Sequence, residues 1–395
     1  MDIDLLRAQT PGCAHRVHLN NAGAGLMSTR TLEAMTEHLR LEAEIGGYEA
    51  KAAAQPRIDA TYSALATLIG GEAEEIALFD NSTHAWNAAG YSIPFQPGDR
   101  ILTGRDEYGS SVLAYLQIEE RTGAEVVVIP NDSTGQIDLD ELRAAVDERT
   151  KLIGLTWVPT SGGLVNPAAE VGRIAEGSDA LYLLDATQAV GQFPVDVHAL
   201  NCDLLTGTGR KFLRGPRGTG FLWVRPSALD RLDPVVVEIA SATWDGERGF
   251  SWAPGARRFE TWEYSYLNIV GLGNAVEQAL DLGLDAIGER ANYLGAQLRG
   301  QLDEIPGVTT HDLGVHRCAI VTASVDGHTA AEVANTLAQD RINVSTTIPE
   351  HNPLDTEDRG VHPLVRFSPH YYNTDAELDQ AVHAVARLAK QAKAG

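Results

Sequence analysis

Short apolar runs rich in β-branched residues alternate with longer amphipathic segments across residues 76–224. This alternation is typical of a mostly parallel sheet with helices on both faces. One intervening segment, residues 138–148, begins with an acidic residue and continues with apolar residues at helical spacing. The sequence therefore predicts an α/β fold whose large domain contains a mostly parallel, seven-stranded sheet. The predicted strands are residues 76–79, 100–104, 125–130, 151–158, 180–185, 202–207 and 219–224.

The pattern changes after the last of these strands. Residues 226–260 are irregular, residues 269–302 have a helical pattern, and the remainder mixes short β-rich runs with amphipathic segments. A chain of 395 residues suits one large domain with a smaller one. We predict an N-terminal arm (1–25) that packs on the small domain, a large domain (26–268) that contains the seven-stranded sheet, and a small C-terminal α+β domain (269–395).

Charge and cysteine content exclude several classes of protein. A net charge of -23 with no basic run argues against binding to nucleic acid or to an anionic membrane surface. Three cysteines without CxxC spacing predict neither a disulfide framework nor a metal site. No run approaches the roughly 18 apolar residues of a membrane span, and the acidic start does not resemble a signal peptide. We expect a cytoplasmic protein.

An acid and a lysine follow neighbouring strands. Asp185 ends the run "ALYLLD", and Lys211 lies in a glycine-rich stretch after the run 202–207. Ligands of open α/β sheets bind beyond the carboxyl ends of the strands, so both side chains should face one crevice. An acid for a ring nitrogen and a lysine for an aldehyde are what a pyridoxal 5'-phosphate (PLP) site requires.

The sequence around these residues resembles the class V aminotransferase-fold, PLP-dependent enzymes of fold type I. The likeness includes "DATQAVGQFPVDVHALNCDLLTGTGRKFLRGPRGTGFLWV" (185–224), "HLNNAGAG" near the start and "VRFSPHYYNTDAELD" near the end. Cysteine desulfurases, selenocysteine lyases, isopenicillin N epimerase and the C–S lyases of ergothioneine biosynthesis belong to this group. The resemblance implies a homodimer with a shared active site and an amino-acid substrate.

The resemblance also implies roles for individual residues. Lys211 would bind the cofactor covalently and move protons, and Tyr108 would act over the cofactor ring. Asp185 would contact the ring nitrogen and Gln188 the phenolic oxygen, and Thr160 stands where an asparagine usually contacts the cofactor. The residues implied at the phosphate are Ser82, Thr83, Thr208, Arg210 and, from the neighbouring subunit, Glu263. The residues implied at the substrate are Asn21, Ala22, Arg366, His370 and Trp262.

Each assignment has an ordinary structural alternative. Asp185 could cap the following helix, Lys211 could be a solvated loop lysine, and Arg366 could form a surface ion pair of little energetic value. Their occurrence in one chain order around one predicted crevice favours the cofactor site. The retained lysine and acid also argue against a non-catalytic binding protein.

The rest of the pocket decides the reaction. Cysteine desulfurases need a nucleophilic cysteine on a loop before the carboxylate-binding arginine, and residues 342–369 contain none. We therefore predict a C–S lyase that eliminates a thiol from an S-substituted cysteine, yielding pyruvate and ammonia, in sulfur-containing secondary metabolism or antibiotic biosynthesis. The short motifs at 42–50 and 257–263 resemble the ergothioneine-type lyases, and lincosamide pathways use close relatives. The alternatives are a decarboxylating deaminase of such a conjugate, an epimerase or aminotransferase, and a disfavoured cysteine desulfurase.

Overall fold

The computed structural model describes residues 1–360 and 363–392. The end of the predicted small domain (393–395) and two residues of the segment 342–369 lie outside the described residues. The strands are β1 (Val17–His18), β2 (Ile76–Phe79), β3 (Arg100–Thr103), β4 (Glu125–Val128), β5 (Thr150–Thr156), β6 (Leu181–Asp185), β7 (Leu204–Thr208), β8 (Gly220–Val224), β9 (Ala242–Trp244), β10 (Phe250–Trp252), β11 (Val308–Thr310), β12 (Val321–Val325), β13 (Ile342–Asn343), β14 (Ser345–Thr346) and β15 (Val365–Phe367). The helices are α1 (Ile3–Ala8), α2 (Thr29–Ile45), α3 (Gly47–Ile69), α4 (Ser82–Tyr91), α5 (Gly109–Thr122), α6 (Leu139–Ala145), α7 (Ala168–Glu176), α8 (Val197–Leu200), α9 (Tyr266–Leu282), α10 (Leu284–Asp303), α11 (Ala330–Gln339), α12 (Pro353–Arg359) and α13 (Asp375–Ala392). In this described part of the chain, no helix combines the length and apolar character needed to cross a membrane.

Seven strands form the large sheet in the order β2–β8–β7–β6–β5–β3–β4. β8 runs antiparallel to both of its neighbours, and all other neighbours in the sheet pair in parallel. Successive residues of the central strands alternate between two apolar clusters, one on each face of the sheet. The predicted α/β fold with a mostly parallel, seven-stranded sheet is confirmed.

The register of the central strands aligns their carboxyl ends. Asp185 of β6 lies opposite Thr156 of β5 and opposite Thr206 of β7. Side chains that leave these strands, or the turns after them, therefore meet at one edge of the sheet.

The helical stretch predicted at 269–302 is two helices rather than one. Gly283 separates α9 from α10 and has a φ of 83°, which a residue with a Cβ rarely adopts. The chain therefore turns there, and α10 goes on to pack against the small sheet.

The small sheet has the order β11–β12–β15–β14 and is antiparallel. Helices α10, α11 and α13 supply the apolar core beside it. Near the N-terminus, β1 pairs in parallel with β13, and Asn20 forms a bridge with Ser368. The domain boundaries given above stay a prediction.

Candidate active site

The carboxylate that ends β6 occupies a fixed and buried position. The amide of Thr187 donates to Asp185 Oδ1 over 2.8 Å, and the amide of Trp157 donates to the Asp185 carbonyl over 3.0 Å. Burial raises the pKa of the Asp185 carboxyl, while the bonds from Thr187 and the charge of Lys211 oppose this rise. A carboxylate held in this way can keep a heterocyclic nitrogen protonated.

Lys211 lies in the turn after β7 with only 7% of its surface exposed. Burial lowers the pKa of its amine well below the ordinary value, and the charges of Arg210 and Arg366 lower it further, whereas Asp185 opposes them. Arg210 is itself held by a hydrogen bond from Nη1 to the carbonyl of Gly23. A lysine driven toward its neutral form is a nucleophile for an aldehyde.

The backbone around Lys211 is fixed by close packing of its neighbours. The hydroxyl of Thr208 donates to the carbonyl of Thr219 over 2.9 Å. A Cβ on Gly209 would lie 2.4 Å from the Thr219 hydroxyl oxygen, and the Gly215 amide donates to the Gly209 carbonyl over 2.7 Å. The glycines of this stretch therefore allow a tight turn that delivers the lysine to the end of the sheet.

The start of α4 forms a polar recess beside Asp185. Asn81 caps the helix by accepting a bond from the His84 amide over 2.9 Å, and Ser82 and Thr83 follow in the first turn. A Cβ on Gly220 would lie 2.4 Å from the backbone of Asn81, so this glycine lets β8 and the helix start approach each other. Amides at a helix N-terminus favour a phosphate. The small cavity there is lined by Ser82, Thr83, Trp86, Asn87, Tyr108, Ser110, Ser111 and Asp185.

Arg366 of β15, in the small sheet, forms a second polar group at the same edge of the large sheet. Its Nη1 donates to both the carbonyl and the hydroxyl oxygen of Thr160, each over 2.8 Å. Gln188 donates to the Thr160 hydroxyl and to the Ala22 carbonyl, each over 3.2 Å. Burial and the charge of Arg210 lower the pKa of Arg366 to about 10. Arg366, Thr160, Gln188 and Ala22 thus form one connected pocket that suits a carboxylate.

These residues fit PLP. Asp185 matches the ring nitrogen, Lys211 the aldehyde, and the first turn of α4 the phosphate. The buried Oε1 of Gln188 has no hydrogen-bond partner among the described residues, and a ligand in the crevice would satisfy it. The site roles nonetheless stay predictions for each residue.

Two predicted substrate residues are occupied by other contacts. Asn21 donates to the Ser368 carbonyl over 2.8 Å and accepts from the Tyr372 hydroxyl over 2.5 Å. His370 is fully buried, its Nε2 lies 2.8 Å from the carbonyl of Phe212, and burial lowers its pKa to about 3. Both side chains therefore support the backbone around the pocket rather than line it.

Two further predicted residues lie apart from this group within one subunit. Trp262 is 46% exposed, and its ring centroid lies 4.7 Å from the ammonium of Lys51. Glu263 lines a separate cavity of about 620 Å³ that also includes His84 and Val236. The structure does not bring either side chain to Lys211.

Sequence reasoning missed several residues at the site. Ser110 and Ser111 line the recess from the first turn of α5, and their position after Tyr108 at a helix start is the signal that could have found them. Glu107 accepts from the amide of Thr156 over 2.7 Å, and burial raises its pKa to about 7. His351 reaches the site from a distant segment, and nothing local in the sequence indicates this.

A buried lysine with a lowered amine pKa and a buried acid, both at the carboxyl ends of a mostly parallel sheet, are typical of a PLP-dependent enzyme of fold type I. The chain belongs to the class-V aminotransferase family, whose model (Aminotransferase class-V) matches residues 17–381. The predicted family and the predicted cofactor, PLP, are confirmed.

Relatives and solved structures extend this match over most of the chain. It is 27% identical over 381 residues to a probable cysteine desulfurase of Methanothermobacter thermautotrophicus, covering 94% of each chain. It is 32% identical over 325 residues to a cysteine desulfurase of Salmonella gallinarum, covering 81% of this chain and 77% of that one. The apo structure of a cysteine desulfurase from Thermococcus onnurineus superposes with a TM-score of 0.91 at 24% identity, covering 98% of each chain.

These relatives contradict the predicted reaction. The prediction of a lyase for S-substituted cysteines in secondary metabolism is wrong, because the relatives matched over most of the chain are named cysteine desulfurases. The error has a physical source. The absence of a thiol from residues 342–369 means only that this segment cannot accept sulfur, and it does not determine the substrate.

Proposed function

We propose that the protein is a PLP-dependent cysteine desulfurase, which passes the sulfur of L-cysteine to a thiol and releases L-alanine. The observation that carries this proposal is that Lys211 and Arg366 belong to one buried group, so that an amino acid held by its carboxylate presents its α-carbon to the lysine. The names of the relatives point to the same substrate.

The side chains divide the work. Arg366, already fixed by Thr160, binds the substrate carboxylate and orients the amino acid. Lys211, as a neutral amine, takes and returns a proton at the α-carbon. Bound PLP supplies the electron sink for charge that develops on the substrate. Asp185 keeps that sink effective by holding a proton at the ring nitrogen, and Tyr108 lines the recess beside it.

The test is a measurement of L-alanine. PLP-loaded protein is incubated with L-cysteine and dithiothreitol, and alanine and pyruvate are quantified by mass spectrometry. We expect alanine, with Lys211→Ala slower by about 10⁴-fold because it lacks both the proton carrier and the covalent link. Pyruvate in place of alanine would contradict the proposal.

We also propose that two copies of this chain form a homodimer. Residues 235–239 carry a run of exposed apolar side chains, of which Val236 is 58% and Ile239 is 79% exposed. Trp244 and Phe250 of the β9–β10 hairpin add further exposed apolar surface. A contiguous patch of this kind favours a protein partner. Glu263 lines the adjoining cavity, where a second subunit could approach the α4 end of the site.

Sedimentation measures the assembly. We expect the mass of a dimer for the wild-type protein and of a monomer for Val236→Asp, because a buried unpaired carboxylate destabilises an interface. A monomeric wild-type protein would refute the dimer. The cytoplasmic location stays a prediction from the sequence.

A further inference from the structure

The segment between β14 and β15 is an excursion whose two ends are tied together. The Thr347 amide donates to the Leu364 carbonyl over 2.8 Å, and the Leu364 amide donates to the Thr347 hydroxyl over 2.8 Å. The excursion leaves the small sheet after β14 and returns to it at Leu364, one residue before β15, the strand that carries Arg366. Residues of the excursion are therefore placed at the pocket by the same strand that supplies the carboxylate-binding arginine.

This excursion is docked on the residues around Tyr108. A Cβ on Gly109 would lie 2.1 Å from the Glu350 carbonyl oxygen, so the two backbones are in direct contact. Asn352 is buried, and its amide, oriented to donate, reaches the carbonyls of Glu107 over 2.7 Å and Asp106 over 3.1 Å. The docking fixes the residue between Glu350 and Asn352, which is His351.

His351 lies beside Tyr108, one of the residues that line the recess next to Asp185. Its ring centroid lies 5.8 Å from that of Tyr108, with the planes tilted by 49°. Partial burial lowers the pKa of its imidazole; Arg366 and Lys211 lower it further, and Glu350 opposes them. The ring is therefore neutral at neutral pH and free to accept a proton. The charged and titratable groups around it are Arg366, Lys211, Glu350 and Tyr108.

The cysteines of the chain are poorly suited to accept sulfur. The whole sequence has three, and none lies in the excursion. Cys202 and Cys318 are buried, and burial raises the pKa of each thiol, that of Cys318 to about 12. Burial also raises the pKa of Cys13, which lies beside Arg7 and Glu377. A thiol must ionise to attack sulfur, so these groups are weak acceptors.

We propose that the acceptor is a thiol from solution and that His351 is the base that deprotonates it. This inference rests on the proposed desulfurase function. The thiolate attacks the sulfur of L-cysteine, a new S–S bond forms, and the Cβ–S bond breaks with its electron pair left on carbon. The proton taken by His351 is returned to Cβ. L-cysteine and the thiol thus yield L-alanine and a persulfide, with no external oxidant or reductant.

The experiment compares His351→Gln with wild-type holoenzyme, using dithiothreitol as the thiol. We expect kcat/KM for dithiothreitol to fall about 100-fold, the usual loss for a general base. With thionitrobenzoate, which is ionised at the assay pH, the two proteins should differ little. The wild-type rate should fall with acid below the ordinary histidine pKa of 6.5, and this limb should be missing from the variant.

Binding and control measurements separate a chemical role from a structural one. The Kd of L-alanine, read from the cofactor absorbance, should be unchanged in His351→Gln. Glu357→Gln, an exposed change in the same excursion, should behave as wild type in every assay. With L-cysteine below the concentration of the protein and no added thiol, the wild-type protein should form no alanine, because no free thiol remains to accept the sulfur.

Each contrary result has a distinct meaning. Alanine formed at equal rates by wild-type protein and His351→Gln with dithiothreitol would overturn the inference and leave the desulfurase function intact. Alanine formed from L-cysteine kept below the protein concentration, with no added thiol, would do the same. A changed Kd for L-alanine in the variant would assign His351 a structural role and would also overturn it. A wild-type protein that forms no alanine with any thiol would refute the proposed function itself.

Discussion

The two sides of the active site are built in different ways. On the cofactor side, Asp185 ends a strand of the large sheet and Lys211 lies in the turn after another, and backbone hydrogen bonds hold both segments in place. The substrate side depends on the excursion between β14 and β15, which is held by a few contacts such as that of Asn352. The cofactor side is shared by enzymes of many activities, whereas the substrate side selects the reaction. Changes to the cofactor side should therefore alter stability or abolish turnover, and changes to the substrate side should alter individual steps.

The largest effect is expected at Glu107, a buried residue of the cofactor side, and it concerns the pH dependence of stability. Burial raises the pKa of this carboxyl from 4.5 to about 7, so its folded-state pKa exceeds its unfolded value. The stabilising contribution of Glu107 to the free energy of unfolding is fully present below pH 4.5 and is lost as the pH rises through 7. This contribution is at most about 3 kcal/mol. We expect Glu107→Gln to remove this dependence and to unfold at higher temperature than wild type at pH 8. Thermal unfolding from pH 4 to pH 8 checks this, and parallel curves for the two proteins would contradict it.

A smaller effect is expected at Arg366, where the two sides meet. Arg366→Lys keeps a charge but loses the fork that binds a carboxylate while contacting Thr160. We expect kcat/KM for L-cysteine to fall about 10- to 100-fold, the value of a charged hydrogen bond, mainly through KM. Steady-state kinetics measure this, with Arg359→Lys as the matched control. Arg359 makes its bonds within the excursion and to His311. A loss confined to kcat would argue against a carboxylate-binding role.

The smallest effect is expected at Asn352. Asn352→Ala removes the donor to the Glu107 and Asp106 carbonyls, which should lower the free energy of opening the excursion by about 1 kcal/mol. Amide hydrogen exchange should accelerate about fivefold in the excursion and stay unchanged in β6. Equal acceleration of exchange in the excursion and in β6 would show that the two sides of the site open together, and it would contradict the difference between them described above.

The sequence allowed the cofactor side to be predicted because its signals are local. A buried strand ending in an acid and a lysine among glycines can be recognised within forty residues, 181–220. All seven strands of the large sheet were accessible for the same reason. Gly283 is a local signal for the turn that splits one predicted helix in two. The signal is easy to miss, because the apolar periodicity continues on both sides of the glycine.

Arg366 was predicted at the substrate, whereas the docking of the excursion could not be predicted, because its contacts join residues far apart in the chain. The bonds of Asn352 to residues 106 and 107 and the contact between His351 and Tyr108 depend on the packing of the excursion against the segment before α5. The sequence of residues 342–369 shows that the segment lacks a cysteine, but it does not show that His351 docks beside Tyr108. The wrong prediction of the reaction followed from this.

The hydrogen bond between Asn21 and the Ser368 carbonyl joins residues 347 positions apart. During synthesis at about 5–20 residues per second, the first partner waits roughly 20–70 s for the second. Over that interval the large sheet can form on the ribosome, yet the walls around Lys211 that residues 21–25 and 366–370 supply are incomplete. The complete site around Lys211 therefore becomes available to the cofactor only after the segment that contains Ser368 has been synthesised and has paired with residues 20–22.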